Sequence, residues 1–542
     1  MDVEELGVRA MALRVFRILA FASFLPADLV LVGDATRVHR PDGAQLFLNP
    51  CNFFFHFDMG LFSFHSDMVV NIADNVKPAN NDLPDANLWM DMLRSKVEDA
   101  TMNGANMGDL ENLIAESVKE LVRPMLRHGA QLVADRQPMR CPDCKSPLRI
   151  EEHARERTVN TLFGPVVVSR SYGYCPQCQK RHYPADHALG LQERSTASPR
   201  LQEISSLAVL RAPAGRAPDD VRRMTGLDLT PSTLHREARR QGDRALAIRE
   251  ADVALSEKIE GVTELSKRSS VPKQPFTMVI EIDAWNIRER DCWGETEELI
   301  KKGLEIPSRW HWVYTGTVFR LDQRGKSLSG RPFITERGYA ATRQGVEALE
   351  KQLYAEALQR GLLKAESVLV LADGAIWIWN LAENRFKQAT QRVDLWHVSE
   401  RIWAVANDLH GNETPEARQW AQQRIAWLKR REDGALDVIG DLRQIRDNLE
   451  GLSAKQCETL DQQIGYFDRH KNRMDYKNGK ALDQPLGSGA MESTCAQYQC
   501  RFKRTGQFWS LDGDEAFLAL QTLHWNGRWN KLFPHDKIKQ SE

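Results

Sequence analysis

Net charge is almost absent from this chain. It carries 73 Lys and Arg against 74 Asp and Glu, a formal charge of −1. No global field therefore draws it toward nucleic acid, and any such affinity must rest on local patches and motifs. Long hydrophobic runs are lacking too. The nearest to a targeting segment, Ile18 to Val32, is interrupted by Pro26 and Asp28 and has no clear small-residue cleavage site. It is too short to span a bilayer, so a cytoplasmic protein with no membrane partner is expected. Cysteine is sparse: nine in 542 residues, four of them in two C-x-x-C pairs. That favours a metal site in a reducing compartment over a disulfide framework. The other five (Cys51, Cys292, Cys457, Cys495, Cys500) read as buried or inert thiols.

What is present is an ordinary globular composition, 42% hydrophobic and 27% charged, in a chain long enough for three or four domains. Residues 1–86 stand apart. Ten of the 20 Phe fall there, with no sustained period, and the segment is left unassigned or read as a start placed too far upstream. Residues 87–137 form an amphipathic helical region, since Leu110, Leu113, Ile114, Val118, Leu121, Val122 and Met125 recur at helical spacing. A kink or break is expected near Pro124. This helix either packs on its own domain or pairs with a partner.

Residues 138–190 hold Cys141-Pro-Asp-Cys144 and, thirty residues on, Cys175-Pro-Gln-Cys178. Four thiolates from two knuckles joined by a hairpin satisfy tetrahedral zinc, so one structural Zn²⁺ is expected in a zinc-ribbon-like module. Two reduced, unliganded turns are the alternative, and His182 is near enough to stand in for Cys178. Residues 211–250 carry nine Arg against six Asp and Glu. Within the region 200–255, a short helix closed by Gly226 precedes a second capped at Thr230, with Val221, Met224, Leu227, Leu229 and Leu234 as shared core. This is a helix-turn-helix with His235, Arg236, Arg239 and Arg240 on or beside the reading face, or else a surface αα-hairpin. Glu257 to Lys273 reads as a linker.

The chemistry lies after residue 275. Apolar, β-branched runs end at Asp283 and at Asp373, and a helix opens Gly487-Ser-Gly-Ala-Met-Glu492. Buried-strand tips bearing carboxylates are unfavourable unless something positive meets them. Two such tips and a helical Glu make an all-oxygen site for divalent cations. Strands through Trp312–Phe319 and near Pro332–Thr335, a helix over Thr342–Arg360 and a strand near Val393 complete an RNase H-like order of elements. Its parts are 275–400, a wholly helical insertion over 401–480, and 481–535. The fold class is thus multidomain α+β: a zinc-ribbon-like module and a helix-turn-helix, then an RNase H-like α/β core with an all-helical insertion. Glu281 competes with Asp283, lying two residues earlier on the same strand face.

From about 88 to 535 the chain resembles bacterial insertion-sequence transposases of the ISKra type, members of the DDE superfamily distantly related to Mutator-like transposases. The segments that carry the resemblance are the Cys141/Cys144 knuckle, Ile280-Glu-Ile-Asp283, Leu371-Ala-Asp-Gly-Ala-Ile-Trp377, Asp394-Leu-Trp-His397 and Gly487-Ser-Gly-Ala-Met-Glu492. The resemblance implies catalysis by Asp283, Asp373 and Glu492 with two Mg²⁺ (or Mn²⁺) ions. It implies cleavage and strand transfer at the ends of a mobile element, in a bacterial, nucleoid-associated homo-oligomer acting on double-stranded terminal repeats and target DNA. It also suggests that Asp394 and His397 support the carboxylates or touch a DNA end, although His397 fits a structural role equally well. Arg501, Lys503 and Arg504, which follow Glu492, are candidate phosphate contacts; Trp509 is expected to pack. A catalytically silent, zinc-containing DNA-binding descendant and a plain metal-dependent nuclease remain the competing readings.

Overall fold

The computed structural model describes residues 85–213, 215–272, 274–289, 295–305 and 309–534. The Phe-rich segment therefore lies outside the described residues. The described chain is mixed α and β, and no helix in it is long and apolar enough to cross a membrane.

Two helices lead, α1 (Ala86–Met102) and α2 (Met107–Asp135). A capping box between Asn106 and Asp109 starts α2, and the helix continues through Pro124 where a break was expected. Its packing accounts for that. Arg123 Nε donates to the Phe163 carbonyl at 2.7 Å, and the Gln131 amide exchanges two hydrogen bonds with the Ser169 backbone. These hold both sides of the proline against a three-stranded antiparallel sheet, β1 (Arg149–Thr161), β2 (Gly164–Cys175) and β3 (Lys180–His182). The helix thus packs on its own domain, although Met125, Leu126 and Val133 stay exposed.

After the short α3 (Pro184–Ala188) come α4 (Pro199–Arg211), α5 (Ala217–Thr225) and the 26-residue α6 (Pro231–Ser256). Gly226 closes α5 at φ 67°, and the Thr230 side chain caps α6 by accepting from Thr233 N. Val221 and Leu234 are fully buried as expected, whereas Met224 is 73% exposed and lies outside that core. The expected linker is instead mostly helical: α7 (Ile259–Lys267) buries Leu265 against Ala355 and Leu358.

The central sheet has five strands: β4 (Thr277–Glu289), β5 (Arg309–Arg320), β8 (Gly338–Thr342), β9 (Ser367–Ala372) and β10 (Thr390–Val393), in the order β10-β9-β4-β5-β8. α8 (Thr296–Lys301) lies between β4 and β5. β9 and β10 run parallel to β4, while β5 is antiparallel to it. The third strand of this sheet is β8, not the Pro332–Thr335 segment. That segment supplies β7 (Pro332–Ile334), which pairs only with β6 (Arg324–Lys326) in a separate ribbon. A proline cannot complete a central ladder, and the small residues of Gly338-Tyr-Ala-Ala-Thr342 let β8 lie beneath a helix.

One face of the sheet, through Met278, Ile280, Ile282, Val370 and Ala372, packs on α9 (Val346–Gln359) and α10 (Ile376–Arg385). Each fully buried Ile or Leu there contributes roughly 1.5–3 kcal/mol. The same core runs without a break into α11 (Leu395–His410), α12 (Pro415–Arg430), α13 (Gly434–Asn448) and α14 (Ala454–His470), through Val398, Ile402, Leu428, Leu442 and Phe467. The helical insertion thus shares its core with the sheet. The short α15 (Tyr476–Ala481) leads back to α16 (Gly489–Phe502), which lies on the opposite sheet face, followed by α17 (Leu511–Trp525). β4 outlasts its parallel neighbour by seven residues, and Trp285 and Ile287 of that extension enter a second core with Tyr498, Phe502, Phe517, Leu234 and Ala238. Asp283 sits where the two cores meet.

Candidate metal centres

The two knuckles are built alike. In each, the residue after the second cysteine takes a left-handed conformation, Lys145 at φ 64° and Gln179 at φ 56°. Its amide donates to the first cysteine's carbonyl, at 3.0 Å for Lys145 and 2.8 Å for Gln179. These turns bring the Cys141, Cys144, Cys175 and Cys178 sulfurs within 4.8 Å of one another. Cys141 lies 3.8 Å from Cys178 and Cys144 lies 3.5 Å from Cys175. Zinc–sulfur bonds of ~2.3 Å require tetrahedron edges of ~3.8 Å, so the four-cysteine cluster could hold one zinc ion. Hydrogen bonds from Ser146 hold the Cys144 thiol down to about 6, while its bond with Cys144 and burial push Cys178 up to about 12. His182 flanks the set, with Nε2 3.5 Å from Cys141 Sγ.

The carboxylate centre follows from strand register. Ile282 pairs with Ala372, and Ala372 pairs with Val393. The residue after each of these is an aspartate: Asp283 within β4, Asp373 just past β9 and Asp394 just past β10 come to one end of three adjacent parallel strands. Above them α16 begins, bearing Glu492 in its first turn. Asp283 Oδ1 accepts from the Ala284 amide at 2.6 Å, and the Cys495 thiol donates to Oδ2 at 3.6 Å. Burial raises the Asp283 pKa; the Ala284 amide opposes this, and the charge of Asp373 adds to it. Asp373 is half-buried and accepts from the Ala375 amide at 2.9 Å.

Asp394 is fully buried and nearly saturated. Oδ1 accepts from Trp396 N at 2.5 Å, and Oδ2 from Ser488 N at 2.6 Å and from the Ser488 hydroxyl at 2.5 Å. It therefore fastens the loop before α16 to the end of β10. One of its carboxylate oxygens belongs to a trio with His397 and Glu492, whose ligand atoms lie within 4.8 Å of one another. The structure thus brings Glu492 against Asp394 and His397, and Asp283 against Asp373. Asp283, Asp373 and Glu492 alone do not form so tight a trio among the described residues. Asp283 lies near enough to both Asp373 and His397 to feel their charge. His397 also meets Glu400, with Nδ1 3.1 Å from Oε2. None of Asp283, Asp373, Asp394 and Glu492 has a Lys or Arg ion-pair partner among the described residues.

Glu281, the competing strand carboxyl, is fully buried and accepts from Met491 N at 2.7 Å. Burial, partly offset by that bond, pushes its pKa up to about 8. It anchors the start of α16 beneath the cleft and leaves Asp283 as the accessible group. Tyr466, which no local motif marked, reaches in from α14: its hydroxyl donates to the Asp373 carbonyl at 3.3 Å, and Arg401 stacks on its ring.

The basic candidates separate. Arg236 is exposed on α6, Arg239 pairs with Asp243 at 2.9 Å, and Arg240 is tied to Glu237 at 2.8 Å and to the Arg194 carbonyl. His235 stays exposed, with its ring 5.0 Å from that of Phe517. Arg501 is a correction: it is 7% exposed, donates to the Val209 carbonyl at 2.7 Å and packs on Trp509, so it cannot meet a phosphate at the surface. Burial lowers its pKa to about 10. Lys503 is exposed and donates to Asn286 Oδ1 at 2.8 Å, Arg504 is half-buried, and Trp509 packs as expected.

No curated protein matches the chain. One family model does, over residues 100–533, a span that takes in both centres, and the chain accordingly belongs to the Uncharacterised protein family (UPF0236).

Proposed function

We propose that this protein is a DNA transposase of the insertion-sequence type, cutting and joining element ends by a DDE mechanism. One observation carries the reading: three neighbouring parallel strands bring aspartates to one end of the sheet beneath a helix bearing Glu492, with no arginine or lysine ion-paired to them among the described residues. Burial first, and the charge of Asp373 after it, raise the Asp283 pKa, and carboxylates so placed invite divalent cations. The strand order, with the first strand central and the second antiparallel to it, supports an RNase H-like core.

Asp283, Asp373 and Glu492 fit as the residues that would hold Mg²⁺ or Mn²⁺. Two bound ions would supply activation of the attacking oxygen and stabilisation of the leaving one. Asp394 keeps the Glu492 helix at the strand ends, and Glu281 holds its first turn from below. Tyr466 fixes the backbone at Asp373. The zinc-ribbon-like module and α4–α6 are proposed to hold double-stranded element ends, with Arg236 and Arg239 toward the DNA and Lys503 and Arg504 nearer the cleft. The assembly is proposed as a homo-oligomer.

The test uses labelled DNA carrying the element's terminal repeats, incubated with the full chain and Mg²⁺. Nicks at the repeat boundary and joined products in added target DNA are expected. Nicks without joining would reduce the reading to a nuclease. Binding without either product would make the protein a silent DNA-binding descendant.

A further inference from the structure

The extension of β4 and β5 beyond the sheet has two faces, and one of them is unusual. Trp285 and Ile287 point into the second core. Their neighbours Asn286 and Arg288 point the other way, paired in register with Trp312 and Trp310. These two tryptophans are 54% and 53% exposed. Two large rings left open side by side on one strand face are costly in water unless they serve a contact. Two cations lie at one of them: Arg288 is 5.4 Å from the Trp310 ring centroid and 4.6 Å from that of Phe508, and Lys503 Nζ is 5.1 Å from the Trp310 ring.

The column runs toward the carboxylate end of the sheet, on the face opposite Asp283. Residues two apart on a strand share a face, so Trp310, Trp312 and Tyr314 form one row. Tyr314 pairs in register with Ala284, whose amide holds Asp283, and its ring meets Trp377, four residues beyond Asp373, at 5.3 Å. Lys503 reaches the row from the end of the helix that carries Glu492.

Resting on the function proposed above, we infer that this face is a stacking platform for an unpaired DNA strand running to or from the cleft. Bases within a duplex already have their faces covered, so exposed rings on a sheet select unpaired ones. Successive rows on the strand are ~6.8 Å apart, twice the ~3.4 Å step of stacked bases, so each tryptophan serves as a separate stacking place. Arg288 and Lys503 meet the phosphates between them. Positive charge beside open rings fits a strand bearing both phosphates and base faces better than it fits another protein's apolar surface.

The test is fluorescence-polarisation titration of the full chain with labelled short oligothymidylate and with a duplex of the same length, without added divalent cation. The paired substitution Trp310→Ala with Trp312→Ala is expected to weaken oligothymidylate binding by about tenfold or more, with duplex affinity changed much less. Trp310→Phe with Trp312→Phe should retain most of the binding, and Lys503→Ala should weaken both DNAs and flatten the salt dependence. Equal binding of oligothymidylate by wild type and by the Ala pair, at an unchanged melting temperature, overturns the inference. If the wild type nonetheless cuts element ends, the proposed function stands without it; if the wild type binds neither DNA, both fall. A change in sedimentation instead of in DNA binding would assign the face to contact between copies and overturn the inference.

Discussion

Two groups of acids lie in this molecule, and they are treated oppositely. At the far end of β4, Glu289, Asp514 and Glu515 are buried together, but Arg343 bonds Glu289 and, at 3.0 Å, Asp514, while Arg249 meets Glu515 at 2.5 Å. Thr342 Oγ1 and Arg343 N close the remaining acceptors of Glu515 at 2.7 Å each. Burial pushes Asp514 up to about 8, so a proton does the work of a third cation there. Asp283, Asp373 and Glu492, by contrast, have no Lys or Arg ion pair among the described residues; amides, a thiol, a histidine and the Tyr466 hydroxyl lie around them. Acids answered by the protein's own cations make a joint; acids left unanswered make a binding site. The four thiols of the zinc-ribbon-like module are the extreme of the second kind.

That contrast can be broken at several points. The greatest effect is expected at the thiols. Chelator-washed protein should retain about one zinc per chain, and Cys141→Ser should lose it and unfold the module, since such ions supply on the order of 10 kcal/mol of local folding energy. Elemental analysis with limited proteolysis checks this; zinc-free protein with a protected module would refute it. Next, Asp283→Asn, Asp373→Asn and Glu492→Gln should each reduce end cleavage on the order of a thousandfold or more, with melting temperature and DNA binding nearly intact. Loss confined to Glu281→Gln would move the first ligand to Glu281.

The arginine-backed cluster should respond the other way. Arg343→Leu leaves Glu289 and Asp514 buried without their shared cation, a destabilisation of about 3–5 kcal/mol in urea or thermal unfolding. Cleavage per folded molecule should change little. A variant that melts like wild type would show that the cluster holds nothing together.

The effect that is smallest at each pH step concerns Glu281. Its folded pKa, about 8, lies above the ordinary 4.5. Below that ordinary value both states are protonated and the residue is neutral in effect. Between the two values the unfolded chain ionises while the folded chain keeps its proton, so stability falls by up to about 1.4 kcal/mol per pH unit. Glu281→Gln keeps an acceptor for Met491 N without that loss. Its melting temperature should gain on wild type as pH rises from 5 toward 8, and a constant gap would show that Glu281 is ionised in the fold.

Much of this was legible in the sequence where burial leaves a pattern. The β-branched runs before Asp283 and Asp373 announced β4 and β9, and the paired C-x-x-C spacing announced the thiol cluster. β8 was not legible, because Gly338-Tyr-Ala-Ala-Thr342 owes its burial to α9 and α17 and not to its own side chains. α7 passed for a linker because one residue of its polar surface, Leu265, carries the anchoring. Arg501 was misplaced for a reason visible afterwards: it lies three residues after buried Tyr498 and beside Phe502, on the helix stripe that faces inward. Tyr466 left no trace, since its partner Asp373 is distant in the chain and no periodicity records a contact between an inserted helix and a strand end.

The length of α6 has a mechanical meaning. Its first turns carry the exposed Arg236, and further along, Gly242 lets the helix approach α17 so closely that a Cβ there would stand 2.7 Å from the Ala516 carbonyl oxygen. From end to end it is a single rod of ~39 Å. Whatever grips its tip is held at a fixed distance and angle from the sheet. One residue inserted between Arg240 and Gly242 would turn the tip by ~100° and advance it by ~1.5 Å, so the helix acts as a ruler whose unit is one amino acid.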